Sequence, residues 1–577
     1  MKRWFKYVKP YLSSFILGPL CMILELIGDV LMPILLASII NRAETGELTI
    51  GGSVLTAVMM ICIVLTMLAA GVGGAYFGSK ASVNFAADLR CDLYTRVQGF
   101  SFANIDKFSA GSLVTRMTND VTQLQNFVNM LLRMALRAPG MMIGGIIMAI
   151  SLKPSLSVVL AVSMPMMIVL ILVLISIGFP RFGIMQKKID KLNSTVRENV
   201  TNVRVVKSFV REDYEIEKFG NDNRDLRDSG MRAIKVVIWM APVMNFFMYA
   251  SVIAVIWLGS GIVLSGDMPV GDLSAFITYT TQILSSLMMI TMLLMNASRA
   301  LASGRRICEV LDEKSSVTDT EAKSRDYKLN SGDIEFKNVS FKYYDHSEEK
   351  VLNDINLKIK SGSTVGIIGS TGCGKTTLVS LILRLYDATE GEVLVDGVNV
   401  KDYSLVNLRD GIGIVLQKNL LFSGSIAENL RWGNPDATDE ELAQAANYAA
   451  ADKFINTFKD KYDTMLDKGG ANLSGGQKQR VSIARTLLKN PKILILDDST
   501  SAVDTATERQ IRSALSTKLG DCTKIIIAQR ITSVMEAEQI IVMNEGKITG
   551  IGTHEELLSE NAEYSEIYYS QMDKKEA

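Results

Sequence analysis

The chain has 577 residues, of which 48% are apolar, and its 61 Lys and Arg residues balance 61 Asp and Glu residues. A balanced charge argues against nucleic-acid binding, which usually requires a basic excess, and the apolar content excludes disorder over most of the chain. Residues 11–300 contain almost all the long apolar runs, whereas residues 311–577 have the composition of a soluble α/β protein. The six cysteines are scattered without metal-ligand spacing, so neither a disulfide framework nor a zinc site is expected.

Six apolar stretches in the N-terminal half are each long enough to cross a bilayer as a helix, which requires about 20 residues. They cover residues 11–40, 51–78, 129–151, 155–179, 236–265 and 273–297. The basic N-terminus and the long basic intervals 79–128 and 180–235 predict that these three regions are cytoplasmic. Because both intervals are strongly helical in pattern, helices two to five are expected to extend well beyond the bilayer.

The soluble half begins after a polar segment. Residues 311–332 are predicted to be a linker between a membrane domain, residues 1–310, and a soluble domain, residues 333–577. In the soluble domain, short β-branched runs alternate with helical patterns, which is typical of βαβ units. The predicted architecture is therefore multidomain: an all-α membrane domain of six helices followed by an α/β domain.

The strongest chemical signal is a phosphate-binding pattern, G-x-x-x-x-G-K-[ST], at residues 369–376, between an apolar strand and a helix. Its glycines let the backbone wrap a phosphate, and the helix N-terminus contributes N–H donors. Lys375 is predicted to reach the β- and γ-phosphates, and Thr376 to bind Mg²⁺. The nucleotide-binding candidates of this segment are Gly369, Ser370, Thr371, Gly372, Cys373, Gly374, Lys375, Thr376 and Thr377.

Two further motifs lie downstream. The apolar strand 492–498 ends in two acids, and Asp497 suits the metal side of a P-loop NTPase, which predicts binding of ATP with Mg²⁺. The segment LSGGQKQR, residues 473–480, is a glycine-containing helix start with an exposed serine, and therefore a second anion-binding end. A single P-loop does not need a second anion-binding helix end, so the simplest use of the LSGGQ segment is to bind a nucleotide that another subunit holds.

With these motifs the chain resembles, over essentially its whole length, an ABC transporter half-subunit of the exporter type, in which LSGGQ is the signature motif. The resemblance implies that Tyr343 stacks on adenine, with the adjacent Tyr344 as the alternative. It implies that Gln417 approaches Mg²⁺, beside Thr376 and Asp497, and senses the membrane domain.

The resemblance also concerns contacts with other parts of the transporter. Segments 102–112 and 208–219 resemble the coupling helices, which dock on the ATPase domains. Asp504 matches the loop that crosses the interface between two ATPase domains. The signature residues that would close on the partner's ATP are Ser474, Gly475, Gly476 and Gln477.

Three positions depart from the family pattern. Asp498 replaces the glutamate that usually follows the metal-binding aspartate, and Gln529 replaces the usual histidine. Segment 464–470, before the signature, lacks the usual acidic and arginine residues. The paired change resembles the degenerate-site half of heterodimeric bacterial multidrug exporters, which makes Asp498 and Gln529 degenerate catalytic positions.

The resemblance implies ATP-driven export of amphipathic small molecules, drugs or lipids, across the cell membrane by one half of a heterodimer. The chain would bind ATP at its own degenerate site and complete the hydrolytic site of a second, non-identical half-transporter. It would be a multi-pass protein with a cytoplasmic N-terminus and ATPase domain. Two alternatives stay open: a homodimeric exporter with an active Asp498 site, and an ATP-gated sensor or regulator without transport.

Two acidic residues interrupt the first apolar stretch. Glu25 and Asp29 lie one helical turn apart and share a face. Charge at membrane depth is costly and usually faces a cavity or a partner. We expect the pair to line the transport cavity and favour cationic substrates; the alternative is that neighbouring helices neutralise it. Arg133 and Arg137, near the cytoplasmic end of helix three, are expected to make structural or headgroup contacts.

Cys373 lies inside the phosphate loop. Its thiol is expected to react with maleimide, because the adjacent helix N-terminus and Lys375 favour the thiolate. Bound ATP is expected to block this reaction. The alternative is a buried, inert thiol.

Overall fold

The structure, a computed structural model, describes residues 2–47, 49–320, 322–323, 326–344, 347–498 and 505–572. The chain forms two compact units. The first comprises Met1–Val97 and Gly111–Asp312, and the second comprises Gln98–Ala110 and Glu313–Ala577. Segment 98–110 therefore folds with the C-terminal unit, although in sequence it lies between two helices of the first.

Within the described residues, six helices of the first unit are long and apolar enough to span a membrane, which confirms the predicted all-α membrane domain. Helices one to six are, in chain order, Leu12–Glu44, Ile50–Gln98, Val121–Met134 with Arg137–Leu152, Ser157–Thr201, Glu212–Leu264 and Val270–Asp312. Helices two, four and five contain 49, 45 and 53 residues, about 65–80 Å at 1.5 Å per residue. Because a hydrocarbon core is about 30 Å thick, they extend beyond it as predicted.

Short helices connect the long ones. An N-terminal helix, Lys2–Val8, precedes helix one through the 3₁₀ helix Lys9–Tyr11. The helix Ala110–Thr115, followed by the π-helical segment Arg116–Asp120, precedes helix three. The first predicted coupling segment, 102–112, contains the helix Phe102–Phe108, whereas the second, 208–219, shares only Ser208 with the short helix Val203–Ser208 that precedes helix five.

The limits of these two coupling helices differ from the prediction. The first helix ends before Ser109, where φ is +56°, so the predicted segment 102–112 extends past it into the helix Ala110–Thr115. The second predicted segment, 208–219, covers instead the turn at Val210, where φ is +50°, and the first residues of helix five, which begins at Glu212. Left-handed backbone at residues other than glycine is uncommon, so neither turn is visible from glycine placement.

Helix six packs mainly against helices one, three and five, and helices four and five pack against each other. The helix six residues Phe276, Tyr279 and Ile283 are fully buried, and the Tyr279 hydroxyl donates to the Val30 carbonyl oxygen over 2.6 Å. The outer faces carry exposed apolar side chains, such as Trp257 with 79% exposure. An apolar outer surface around fully hydrogen-bonded helices is what a bilayer requires.

Over the residues that the structure describes, the C-terminal unit contains three sheets. The largest has six strands in the order Lys547–Gly552, Gln539–Asn544, Thr364–Gly369, Thr523–Ile527, Ile493–Asp497 and Ile412–Val415. Its strands are parallel except for the antiparallel pair at the Lys547–Gly552 edge. An antiparallel sheet has the order Leu352–Ile359, Ile334–Phe341, Glu390–Val395 and Val398–Asn399, and a small sheet pairs Gly424–Ser425 with Met465–Leu466.

Helices surround these sheets, which confirms the predicted α/β domain. The longer ones are Lys375–Ile382, Asp439–Tyr448, Gly475–Leu488, Thr505–Lys518 and Ala562–Met572, and the shorter ones are Leu405–Asp410, Ile426–Arg431, Asp452–Ile455 and His554–Glu560. One apolar core lies between the two large sheets and includes Val365, Ile495 and Ile525. A second core joins the helices Asp439–Tyr448 and Gly475–Leu488 through Leu442 and Val481.

Candidate functional site

The phosphate loop lies at the carboxyl edge of the six-stranded sheet. It leaves strand Thr364–Gly369, which pairs in parallel with Thr523–Ile527; that strand in turn pairs with Ile493–Asp497. The carboxyl ends of parallel strands meet at one edge of a sheet, where ligands bind. The fold therefore brings Asp497 and Asp498 from one part of the sequence, and Gln529 from another, beside the loop.

Two glycines give the phosphate loop its shape. Gly372 and Gly374 have φ angles of +86° and +100°, a region that glycine adopts at little cost. A Cβ on Gly374 would also lie 2.8 Å from Leu352 Cδ2 and 3.0 Å from the Val351 carbonyl oxygen. Helix Lys375–Ile382 starts directly after this turn, and the first N–H groups of a helix are suited to binding an anion.

Lys375 and Thr376 make the polar contacts of the loop. Lys375 Nζ donates to the carbonyl oxygens of Gly369 over 2.8 Å and Ser370 over 2.7 Å. The Thr376 hydroxyl donates to the two carboxylate oxygens of Asp497 over 3.1 and 2.9 Å. Burial raises the pKa of the Asp497 carboxyl, and the Thr376 hydrogen bond opposes this. A hydroxyl and a carboxylate in contact form an all-oxygen donor set that fits Mg²⁺.

Asp498, which the sequence resemblance predicts to be a degenerate catalytic position, contacts both glutamines that the sequence singled out. Its Oδ2 accepts from Gln529 Nε2 over 3.1 Å and from Gln417 Nε2 over 3.4 Å. The residue has φ +47°, and its backbone N–H donates to the Ile527 carbonyl oxygen over 2.9 Å. Burial raises the pKa of its carboxyl, while the Gln417 hydrogen bond and the charge of Lys375 lower it.

The structure distinguishes Tyr343 from Tyr344. The Tyr343 hydroxyl is 2.9 Å from the Thr377 hydroxyl, on the helix that follows the phosphate loop. Its ring packs edge-on against Phe341 and remains 40% exposed, whereas Tyr344 is 56% exposed. Tyr343 is therefore the tyrosine that lies beside the phosphate-loop helix.

The signature segment opens helix Gly475–Leu488. Ser474 is its N-cap: the serine Oγ accepts from the Gln477 backbone N–H over 3.3 Å, and Gln477 Oε1 accepts from the Ser474 N–H over 2.9 Å. Gly475 and Gly476 form the first turn. This reciprocal capping fixes the start of the helix, and a helix N-terminus is the kind of end at which anions bind. Asp504, expected to cross the dimer interface, lies outside the described residues.

Cys373 differs from the expectation. Its thiol is only 4% exposed and belongs to the apolar core of the ATPase unit. The Sγ atom lies 3.6 Å from Lys375 Nζ. A maleimide cannot reach a thiol buried in this way, so the inert alternative describes Cys373 better. Its backbone still forms part of the phosphate loop.

Glu25 and Asp29 share one basic partner. Arg137 Nη1 is 2.9 Å from Glu25 Oε1, and Arg137 Nη2 is 3.0 Å from Asp29 Oδ2. The side chains of Glu25 and Asp29 are 15% and 19% exposed. Helix three therefore supplies a guanidinium to both carboxylates, which favours neutralisation by a neighbouring helix and gives Arg137 a structural role. These three side chains, called the triad below, comprise two acidic groups and one basic group, so their formal charges do not cancel.

Sequence reasoning missed Tyr386, which follows the phosphate-loop helix. Its hydroxyl donates to Asp106 Oδ2 over 2.8 Å, and its ring packs against Tyr343 and Phe102. The available signal was an aromatic residue between the helix Lys375–Ile382 and the strand Glu390–Val395, a position that by itself indicates core packing. Its contact with residue 106 depends on the folding of segment 98–110 with the C-terminal unit.

Six spanning helices followed by a P-loop ATPase domain with a capped LSGGQ helix define an exporter-type ABC half-transporter. Comparison with protein families agrees. The family model for the ABC transporter transmembrane region matches residues 15–287, and the ABC transporter family model matches residues 352–501. The chain belongs to the ABC transporter family and is a multi-pass, ATP-hydrolysing membrane transporter with a cytoplasmic ATPase domain.

Its relatives extend over the full chain. It is 38% identical to the ABC transporter ATP-binding protein YfiB of Bacillus subtilis, covering 99% of both chains. It is 32% identical to YgaD of the same organism, a proposed multidrug export ATP-binding/permease protein, covering 98% of both. Among solved structures, a bacterial Atm1-family ABC exporter with ATP bound has a TM-score of 0.77 at 24% identity, covering 98% of each chain.

Proposed function

We propose that this chain is the degenerate-site half of a heterodimeric exporter that moves amphipathic small molecules, drugs or lipids, out of the cell. Its own site binds ATP and hydrolyses it slowly. Its signature residues, Ser474–Gln477, complete a hydrolytic site on a second, non-identical half-transporter. The family and the similarity to YgaD support the substrate class.

The observation that carries this proposal is the Asp498–Gln529 pair. Compared with glutamate, Asp498 draws its carboxylate back by one methylene, and a displacement of about 1 Å can cost roughly 100-fold in rate. Gln529 hydrogen-bonds Asp498 over 3.1 Å, but a carboxamide carries neither a transferable proton nor a positive charge. Loss of a positioned acid or base typically costs a further 10²–10⁴-fold or so.

The groups that bind nucleotide are present. In this proposal Lys375 holds the β- and γ-phosphates, and Tyr343 stacks on the adenine. Thr376, Asp497 and Gln417 would hold Mg²⁺, which supplies charge neutralisation of the phosphates when bound. The site therefore binds ATP while lacking the usual groups that orient and deprotonate water.

The test is a pair of substitutions in the assembled complex, purified after co-expression with the second half-transporter. Glutamine in place of that subunit's catalytic glutamate should lower ATPase activity by roughly 100-fold or more. Asp498→Asn in this chain should spare most of it. Lys375→Ala is the control for ATP binding at this chain's own site.

The homodimer is the competing function, and one observation favours it: Asp498 is still a partly buried carboxylate beside the phosphate loop. It predicts steady ATPase activity from the chain purified alone. If Asp498→Asn abolishes that activity, or is as damaging as the partner substitution in the complex, the division of labour proposed here is wrong.

A further inference from the structure

Tyr386 lies between the tyrosine beside the phosphate-loop helix and the first coupling helix. Its ring centroid is 5.2 Å from that of Tyr343, at 87°, and 6.1 Å from that of Phe102. Its hydroxyl donates to Asp106 Oδ2 over 2.8 Å. All four residues belong to the same compact unit. A continuous set of contacts therefore runs from Tyr343 to helix Phe102–Phe108.

The loop that carries Tyr386 is held in place. Arg384, 5% exposed and with φ +49°, donates to Asp387 Oδ1 over 2.8 Å. It also donates to the carbonyl oxygens of Lys401 over 3.2 Å and Thr318 over 2.9 Å. Because the backbone on both sides of Tyr386 is fixed in this way, a shift of the neighbouring Tyr343 ring is passed to the hydroxyl end and not absorbed by the loop.

The coupling helix has a second attachment, on the opposite side from Tyr386. Buried Asn104 donates to Glu313 Oε1 over 2.9 Å and to the Lys314 carbonyl oxygen over 3.0 Å. Its Oδ1 accepts from the Ser316 N–H over 3.1 Å. The helix is thus clamped to the linker at Asn104, and its Asp106 end is the part that Tyr386 contacts.

We propose that Tyr386 is a positioning residue that reports occupancy of the adenine site beside Tyr343 to the coupling helix Phe102–Phe108 of the same chain. The proposal rests on ATP binding as described under the proposed function. Base stacking fixes the Tyr343 ring, the Tyr343–Tyr386 edge contact fixes the second ring, and the hydroxyl holds Asp106. This route starts at the base and is separate from the one through Gln417, which starts at the phosphates.

The chemistry of the last contact suits this role. Burial raises the pKa of Tyr386, and the hydrogen bond to Asp106 raises it further, so the phenol keeps its proton and donates at physiological pH. A hydrogen bond to a carboxylate is stronger and more directional than one between neutral groups. The contact between the rings of Tyr386 and Phe102 alone would fix the distance between Tyr386 and the coupling helix, whereas the hydrogen bond to Asp106 also fixes the orientation of the helix.

The experiment measures amide hydrogen exchange of residues 98–110 in the intact transporter in detergent, with EDTA to prevent hydrolysis. ATP and the base-free anion tripolyphosphate are compared at concentrations that displace a fluorescent ATP analogue equally. In the wild-type protein, ATP should slow exchange in this segment and tripolyphosphate should not. Tyr386→Phe should reduce the ATP effect by roughly tenfold, the factor that one hydrogen bond to a charged group provides.

Three further variants separate reporting from simple packing. Asp106→Ala, at an exposed position, should act like Tyr386→Phe, and Asp106→Asn, which keeps an acceptor, should retain most of the response. Tyr462→Phe is the matched control, because its hydroxyl donates to Asp452 over 2.8 Å elsewhere in the same unit. It should leave the exchange unchanged.

Two results would overturn the inference: equal slowing of exchange by tripolyphosphate and ATP in the wild type, or an unchanged ATP effect in both Tyr386→Phe and Asp106→Ala. The displacement assay is read first. If ATP fails to displace the analogue from the wild-type protein, the proposed function itself is wrong. If ATP binds normally but exchange in residues 98–110 does not respond, only the inference about Tyr386 is wrong.

Discussion

Replacing Arg137 with glutamine should destabilise the membrane unit, because Glu25 and Asp29 would lose the guanidinium that pairs with both. At N···O distances of 2.9 and 3.0 Å, each attraction is worth roughly 5 kcal/mol at an effective dielectric constant of about 20. Desolvation offsets part of this, and breaking a buried ion pair on one side typically costs about 3–5 kcal/mol. The three side chains are 15–30% exposed, so we expect the lower end, about 3 kcal/mol.

The assay is heat-induced loss of monodisperse protein in detergent, followed by fluorescence size-exclusion chromatography. A loss of about 3 kcal/mol corresponds to a midpoint lower by roughly 5–10 °C for a unit of this size. Arg133→Gln is the matched control, since it removes an exposed arginine four residues earlier on the same helix. It should leave the midpoint within about 1–2 °C of the wild type.

A triple variant, Glu25→Gln with Asp29→Asn and Arg137→Gln, separates charge pairing from packing. Removing all three charges should restore most of the midpoint, because no carboxylate is then left unpaired in an apolar bundle. If Arg137→Gln alone is as stable as the wild type, or the triple variant is as unstable as Arg137→Gln, the triad is not an ion-pair network. Transport of a cationic dye by Glu25→Gln/Asp29→Asn tests the cavity expectation separately, and an unchanged affinity would contradict it.

Two further predictions concern the ATPase unit. Gly374→Ala should abolish ATP binding in a filter assay, because the new methyl group meets Leu352 at 2.8 Å in a backbone with φ +100°. Gly372→Ala, at φ +86° and with no atom within 4 Å of the new methyl group, should weaken ATP binding less. Equal effects of the two substitutions would contradict this. The pKa of Asp396 is lowered because hydrogen bonds from the turn 330–333 outweigh burial, so its stabilisation is present at neutral pH and is lost as the pH falls below about 4 through the folded-state value. Asp396→Asn should therefore lower the unfolding temperature at pH 7, and the difference from the wild type should shrink in acid; a constant difference would contradict the assignment.

The parts of the molecule that were predicted correctly depend on local pattern. Apolar runs of spanning length predicted all six membrane helices, and fixed spacing placed Lys375 at the phosphate loop. The pairing of Arg137 with Glu25 was not predictable, because it depends on how two helices are rotated about their axes. The burial of Cys373 depends on the path of the loop, which the positive φ angles of its two glycine neighbours determine. Composition does not encode that path. Tyr386 and Asp106 are 280 residues apart in sequence, and no local pattern connects them.

The folding of residues 98–110 with the ATPase unit has a practical consequence for protein fragments. An ATPase fragment that starts at Glu313 lacks the helix that covers Tyr386 and the Asn104 side chain that holds Glu313 and Ser316. The first residues of such a fragment would lack the side chain that they hydrogen-bond in the whole chain. A soluble fragment that keeps these contacts needs two pieces of chain. Residues 98–110 would be supplied as a peptide or joined to Glu313 through a designed linker.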